Sequence, residues 1–393
     1  MTNRIQKEEK ISLLKSFREI CLQGQAEDES PDENVFLKRF LPIRSHFRVL
    51  DPLVRLIIGD KGSGKTHLFQ ALELENGRKV LTDLAKAKGE TITPLEKSQW
   101  IIGFKTSGMD FPPAAVIKKY AREHDSSMLQ NFWLYLIARM LYKKRKIDSS
   151  SLSESLNRAL TATDWNLERI LTSIDSELGL VFQRIDNIDT NLDIEDAFIF
   201  ISYDELDRVS PGDWGAMKSI LQGLVQFWAA YSRRWRRIRP KIFLRRDLYQ
   251  RAALMGPDIA KIASNRAELL WDIHEFYGVV FKRLLNNDEF RDYLAPARIP
   301  LIHDPDLGYT PQAKKEKDYE TAIDRMFGKH MGTDPRKGLT LRWLPNHLKD
   351  GHGRIYPRPL LRLLEDAAEI ELRDRRALGL VQLFHHSALR GAL

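Results

Sequence analysis

The chain has 393 residues, 43% hydrophobic and 30% charged, with a formal net charge of +8 and a single cysteine. This composition suits a globular protein with one core domain and one or two smaller parts, and it excludes a largely disordered chain or a disulfide scaffold. The first ten residues are charged and lack an apolar signal core, and no apolar run approaches the ~20 residues of a membrane span, so a cytoplasmic protein without a membrane partner is expected.

Ile11, Leu13, Leu14, Phe17 and Ile20 recur at helical spacing, which predicts an N-terminal docking helix with Cys21 as a small apolar member of its pattern. The acidic stretch Glu27 to Glu33 reads as a loop, so residues 1–35 precede the first domain.

Residues 54–66, Val-Arg-Leu-Ile-Ile-Gly-Asp-Lys-Gly-Ser-Gly-Lys-Thr, form an apolar strand running into a Gly-x4-Gly-Lys-Thr loop. Gly59, Gly62 and Gly64 let the backbone turn its N–H groups inward, and the helix that follows adds the positive end of its dipole, so a polyphosphate is cradled. Lys65 reaches the β- and γ-phosphates and Thr66 holds Mg2+. Asp60, Lys61, Ser63 and His67 complete the candidate nucleotide-binding set, with His67 read as helix surface or core rather than as a metal ligand.

Gln99 to Lys105 predicts a second strand. A mostly helical stretch over about 112–190 then reads as an insertion able to carry a partner-specific surface. Ala197 to Ser202 is a continuous apolar run, the pattern of a parallel strand buried on both faces. It delivers Tyr203-Asp204-Glu205-Leu206-Asp207-Arg208, a Walker B element in which Asp204 holds Mg2+ and Glu205 orients and deprotonates the attacking water. Trp214, Phe227 and Trp228 read as packing residues.

The run Arg233 to Lys241, with Trp235 inside it, concentrates positive charge before another strand at Lys241 to Leu244. Arg245 at that strand's end is assigned to sensing the γ-phosphate, because Arg246 can pair with Asp247 at a surface. Strands separated by helices imply a parallel α/β sheet, with the ATPase core over 36–255. Residues 256–393 predict a helical or winged-helix lid whose late helix opens at Tyr356-Pro357-Arg358; Arg358 is the residue expected to swing onto the phosphates when the lid closes. The chain ends without a polar tail, as expected if it is cut from a longer protein. It has no Asn-Lys-x-Asp guanine reader and no Leu-Ser-Gly-Gly-Gln element, so ATP is the expected nucleotide.

Taken together, these residues resemble the AAA+/STAND branch of P-loop ATPases, and within it the bacterial stand-alone ATPases related to archaeal ATPases and origin-recognition-type proteins. The resemblance covers about residues 36–370 and rests on Gly59 to Thr66, Phe198 to Arg208 and the Phe-Leu-Arg-Arg-Asp-Leu-Tyr segment at 243–249, with Asn265-Arg266, Trp271 and Arg358 matching loosely. It implies an ASCE/AAA+-like five-stranded P-loop NTPase core with a helical or winged-helix lid. It also implies ATP hydrolysis to ADP and phosphate coupled to conformational switching, often in homo-oligomers, and a setting in bacterial antiviral defence or mobile-element loci. Arginine stands where the family's polar first sensor is expected, and no arginine finger can be placed.

Three functions follow. One is an ATPase switch or assembly scaffold for an effector protein. Another is a nucleic-acid motor or loader that binds through Arg233, Arg234, Arg236 and Arg237, set against their reading as a solvated helix C-terminus. A small-molecule kinase is disfavoured by Asp204-Glu205, which serves hydrolysis rather than transfer to a second substrate.

Overall fold

The computed structural model describes residues 6–21, 32–90, 97–252, 258–374 and 382–393. Most of the acidic stretch, residues 27–31, and the side chain of Cys21 lie outside the described residues. The chain divides into two compact units, one built from residues within 1–44, 62–81 and 270–393, the other from residues within 45–61 and 82–269.

The second unit is built on a five-stranded sheet: β1 (Leu56–Gly59), β2 (Gln99–Phe104), β3 (Ile199–Tyr203), β4 (Ile238–Arg245) and β5 (Arg266–Glu268), in the order β2-β3-β4-β1-β5. Every pairing is parallel, with Leu56 opposite Ile242 and Arg266, and Ile199 opposite Gln99 and Ile238. Every residue of β1 and β3 is buried, which is why both read as unbroken apolar runs rather than alternating ones. This is an α/β fold, a parallel sheet flanked by helices. Because the strands are parallel, Asp60 after β1, Asp204 and Glu205 after β3, and Arg245 at the end of β4 all lie at one edge.

The helices of residues 114–194 share one core with the sheet. The helix Ser126–Lys143 starts where the Asp125 side chain accepts the N–H groups of Ser127 and Met128, and it buries Phe132 through Leu141 on all sides. Such all-round burial needs partners on every face; β2 and the helix Trp214–Tyr231 are two of them. Trp133 Nε1 donates to the Ile220 carbonyl at 3.0 Å, and Trp228 Nε1 to the Tyr203 hydroxyl at 3.1 Å, so each buried indole keeps a polar partner. Phe227 and Trp228 are fully buried, whereas Trp214 is half exposed beneath the Arg251 guanidinium.

The first unit has a separate core. The helix Lys7–Cys21 buries Leu13, Leu14 and Phe17 and packs along the helix Pro357–Arg373. Phe17 lies edge-on to Phe290 and Phe384, and the buried Lys10 ammonium pairs with Glu371 at 2.9 Å while donating to the Gln382 carbonyl. A two-stranded antiparallel hairpin, β6 (Leu301–Asp304) and β7 (Gly308–Pro311), is pinned by the buried Lys282 through the Leu307 carbonyl and the Thr310 hydroxyl. Among the described residues no helix is long and apolar enough to cross a membrane.

Candidate nucleotide site

The Gly-x4-Gly-Lys-Thr loop leaves the end of β1 and runs into the helix Lys65–Glu73. Gly62 and Gly64 have φ of +85° and +87°, backbone that a residue with a β-carbon rarely adopts. A β-carbon on Gly62 would also sit 3.1 Å from that of Arg358, so the start of the helix Pro357–Arg373 packs directly on the loop. Pro357 occupies the first helical position, where its missing N–H costs nothing and its fixed φ suits the turn; this holds Arg358 beside Gly62. Trp271, matched only loosely in sequence, donates its indole N–H to the Ser63 carbonyl at 2.9 Å. Lys65 and Ser63 are buried, and the His67 ring stands edge-on to Phe36 and Phe40 at 5.2 and 6.4 Å.

At the end of β3 the Asp204 N–H donates to the Phe104 carbonyl, and the residue is buried. Glu205 takes a left-handed conformation, φ 57° and ψ 23°, and is also buried. Its Oε2 accepts three hydrogen bonds: from the Thr106 N–H at 2.9 Å, from the Thr106 hydroxyl, and from the Ser107 N–H at 3.1 Å. Oε1 lies 3.7 Å from the Arg208 guanidinium. Thr106 and Ser107 follow β2, and the pairing of Phe104 with Tyr203 brings them to Glu205. Sequence reasoning missed both. The signal that could have found them is a pair of hydroxyl residues just past the C-terminal end of a core strand.

Arg245 and Arg246 take opposite sides of β4. Arg245 reaches toward the β3 side, donating to Asp207 at 3.0 Å and to both carboxylate oxygens of Asp247 at 3.1 and 2.8 Å. Arg246 reaches toward β1 and β5, donating to Asp60 and to Glu268 at 3.0 Å each. The expected Arg246–Asp247 pair is therefore not formed. Arg245 takes Asp247 instead, because adjacent residues at a strand's end project to different neighbours.

Part of the arginine run is committed within the chain. Arg234 pairs with Asp186, which also accepts the Trp235 indole N–H at 2.9 Å; the Arg234 guanidinium holds the Asp186 carboxyl below its usual range. Arg237 pairs with Asp193 and Asp196 at 2.7 and 2.8 Å. The buried Asp189 accepts the backbone N–H groups of Arg236, Arg237 and Ile238. Trp235 is 0% exposed and stacks on Tyr231, so it offers no face to a nucleobase. The proposed nucleic-acid surface thus loses Arg234, Arg237 and Trp235 to the fold, while Arg233 and Arg236 stay exposed.

In chemical terms, the two glycines supply the close-approach backbone a phosphate cradle needs. No protein-family model and no curated relative matches the chain. Among solved structures, that of the Aeropyrum pernix ORC2 protein in its ADPNP–ADP complexes is similar over 92% of this chain and 71% of that one, at 14% identity and a TM-score of 0.36. A similarity at this level bears on neither activity nor partners.

Proposed function

We propose that the chain is an ATP-binding and ATP-hydrolysing switch. In this reading Gly59 to Thr66 hold the triphosphate, Lys65 meets its terminal charges, and Glu205 takes the proton of the attacking water. Mg2+, held by Thr66 and Asp204, would offset phosphate charge. Arg245 and Arg358 are the nucleotide-sensing candidates. Arg358 gains support from its packing on Gly62.

The observation that carries the reading is the buried Glu205 carboxylate at the C-terminal edge of a parallel sheet, beside Asp204, at the same edge from which β1 feeds the glycine loop. Parallel sheets take their ligands at this edge. A carboxylate held by three donors is a base kept off its task, so release of Glu205 from Thr106 and Ser107 is the step that a switch would control. Homo-oligomer formation, an effector partner and a role in antiviral defence rest on the family resemblance. The motor reading is the weaker one, since Arg234, Arg237 and Trp235 serve the fold.

The test is phosphate release from labelled ATP by the full chain. Lys65→Ala is expected to lose ATP binding. Glu205→Gln is expected to keep binding and to lose about 10²- to 10⁴-fold in hydrolysis, the usual worth of a general base. Wild-type turnover by Glu205→Gln would remove Glu205 from the role, and transfer of the label to a second molecule instead of free phosphate would replace hydrolysis with kinase chemistry.

A further inference from the structure

Arg246 begins the helix that follows β4, and it is the better buried of the two arginines there, its side chain 12% exposed against 31% for Arg245. Its Nε donates to Asp60 Oδ2 and its Nη2 to Glu268 Oε2, each at 3.0 Å, and the other Glu268 oxygen takes Arg266 Nε at 3.0 Å. One planar guanidinium thus ties together the ends of three adjacent strands, β4, β1 and β5. The middle one is the strand that feeds the glycine loop. A fork of fixed geometry fixes the direction of both carboxylates, which a flexible ammonium would not.

Asp60 is the residue that makes this consequential. It is the first residue after the leading glycine of Gly-x4-Gly-Lys-Thr, so a carboxylate stands at the root of a loop suited to a polyanion. Its charge opposes a triphosphate in a partly desolvated environment, where like charges repel more strongly than in water, and each cation that faces it reduces that opposition. The Nε–Nη2 edge of Arg246, one of its two forks, is already turned to carboxylates.

We infer that Arg246 is a positioning residue for the phosphate loop: it neutralises Asp60 and fixes the loop's root against β4 and β5, and it does not itself touch the nucleotide. The inference rests on the ATP-site reading above. It assigns to Arg246 a function in affinity that is separate from sensing by Arg245.

The experiment measures the affinity of the full chain for a fluorescent ATP analogue, together with kcat and KM for ATP. Arg246→Gln is expected to weaken binding at least tenfold and to raise KM by a similar factor, with kcat changed by less than threefold. Adding Asp60→Asn to that variant is expected to restore affinity to within about threefold of wild type, because the negative charge that Arg246 helps to offset is gone. Arg246→Lys, which keeps the charge without the fork, should fall between wild type and Arg246→Gln.

Failure of Asp60→Asn to rescue Arg246→Gln would overturn the inference, by showing that Arg246 acts on the nucleotide directly or only through stability. So would wild-type affinity in Arg246→Gln. Thermal melts of each variant separate lost affinity from lost fold. Should Arg246→Gln not fold, the same rescue by Asp60→Asn is read in the Arg246→Lys background. Lys65→Ala marks the other failure: if it binds the analogue as wild type does, the nucleotide site itself is misassigned.

Discussion

Glu205 occupies a left-handed conformation that costs a residue with a β-carbon about 1–2 kcal/mol, and its carboxylate turns inward onto Thr106 and Ser107. A local cost of this kind persists only where the surroundings impose it. Here the three donors and the end of β3 do so. The Thr106 hydroxyl is the one donor a side-chain change can remove, since the two N–H groups belong to the backbone. Hydrogen bonds to a charged group are worth about 1.5–3 kcal/mol, so Thr106→Val should lower the cost of releasing Glu205 and raise basal phosphate release several-fold, at equal ATP affinity. A drop in turnover would mean instead that Thr106 holds Glu205 in its working position. Asp204 and Glu205 were legible in the sequence because an acidic pair follows an unbroken apolar run. Thr106 was not, because its role exists only once β2 lies beside β3, a pairing between residues about a hundred positions apart. The same limit explains Arg245 and Arg246: which acid each one meets depends on strand order, and strand order is not written in either residue's neighbours.

Four of the sheet's strands carry a run of apolar residues long enough to announce themselves, and the helix Lys7–Cys21 shows its buried face at helical spacing. β5 has three residues, Arg266–Glu268, with a charge at each end, so neither period nor composition marks it; its identity as a strand comes from pairing with β1. The long helical stretch before β3 was legible as helices. That they share the sheet's core was not, because Ser126–Lys143 owes its all-round burial to the later helix Trp214–Tyr231. The N-terminal helix offers the sharpest test at this scale. Its Lys10 and the Glu371 of Pro357–Arg373 are both 0% exposed and 2.9 Å apart. Breaking a buried pair by removing one partner leaves a charge without compensation and typically costs about 3–5 kcal/mol. Lys10→Met should therefore lower the urea midpoint clearly. Lys10→Met with Glu371→Gln, which removes the stranded charge yet keeps an acceptor for the His385 N–H, should recover much of the loss. Equal destabilisation in single and double variants would show that packing, not charge, holds this helix.

Lys241 and Lys282, in different units, carry ammonium groups that burial disfavours. Lys241 in β4 is fully buried, with its pKa lowered to about 7 by burial. Its Nζ donates to the carbonyls of Val49, Asp51 and Val54 at 2.6–2.7 Å, bonds that oppose that shift and tie the segment before β1 to β4. Lys282, beneath the β6–β7 hairpin, is likewise lowered to about 7 by burial. The unfolded chain keeps both protons up to the ordinary value of 10.5. Between these limits the unfolded state binds more protons than the folded one, so stability rises with pH, by up to about 1.4 kcal/mol per pH unit for each lysine. Below about pH 7 both states are protonated, the full cost of burying the charge is present, and the slope vanishes. Above pH 10 the buried tyrosines reverse the trend: burial raises the pKa of Tyr203, Tyr277 and Tyr319, so the unfolded chain loses phenolic protons that the folded chain retains. Urea unfolding at pH 7, 8 and 9 should accordingly show increasing stability, and Lys241→Met and Lys282→Met should each remove part of the slope while lowering stability at pH 7. A flat profile in the wild type would mean that the carbonyls around each ammonium hold its proton against the burial that expels it.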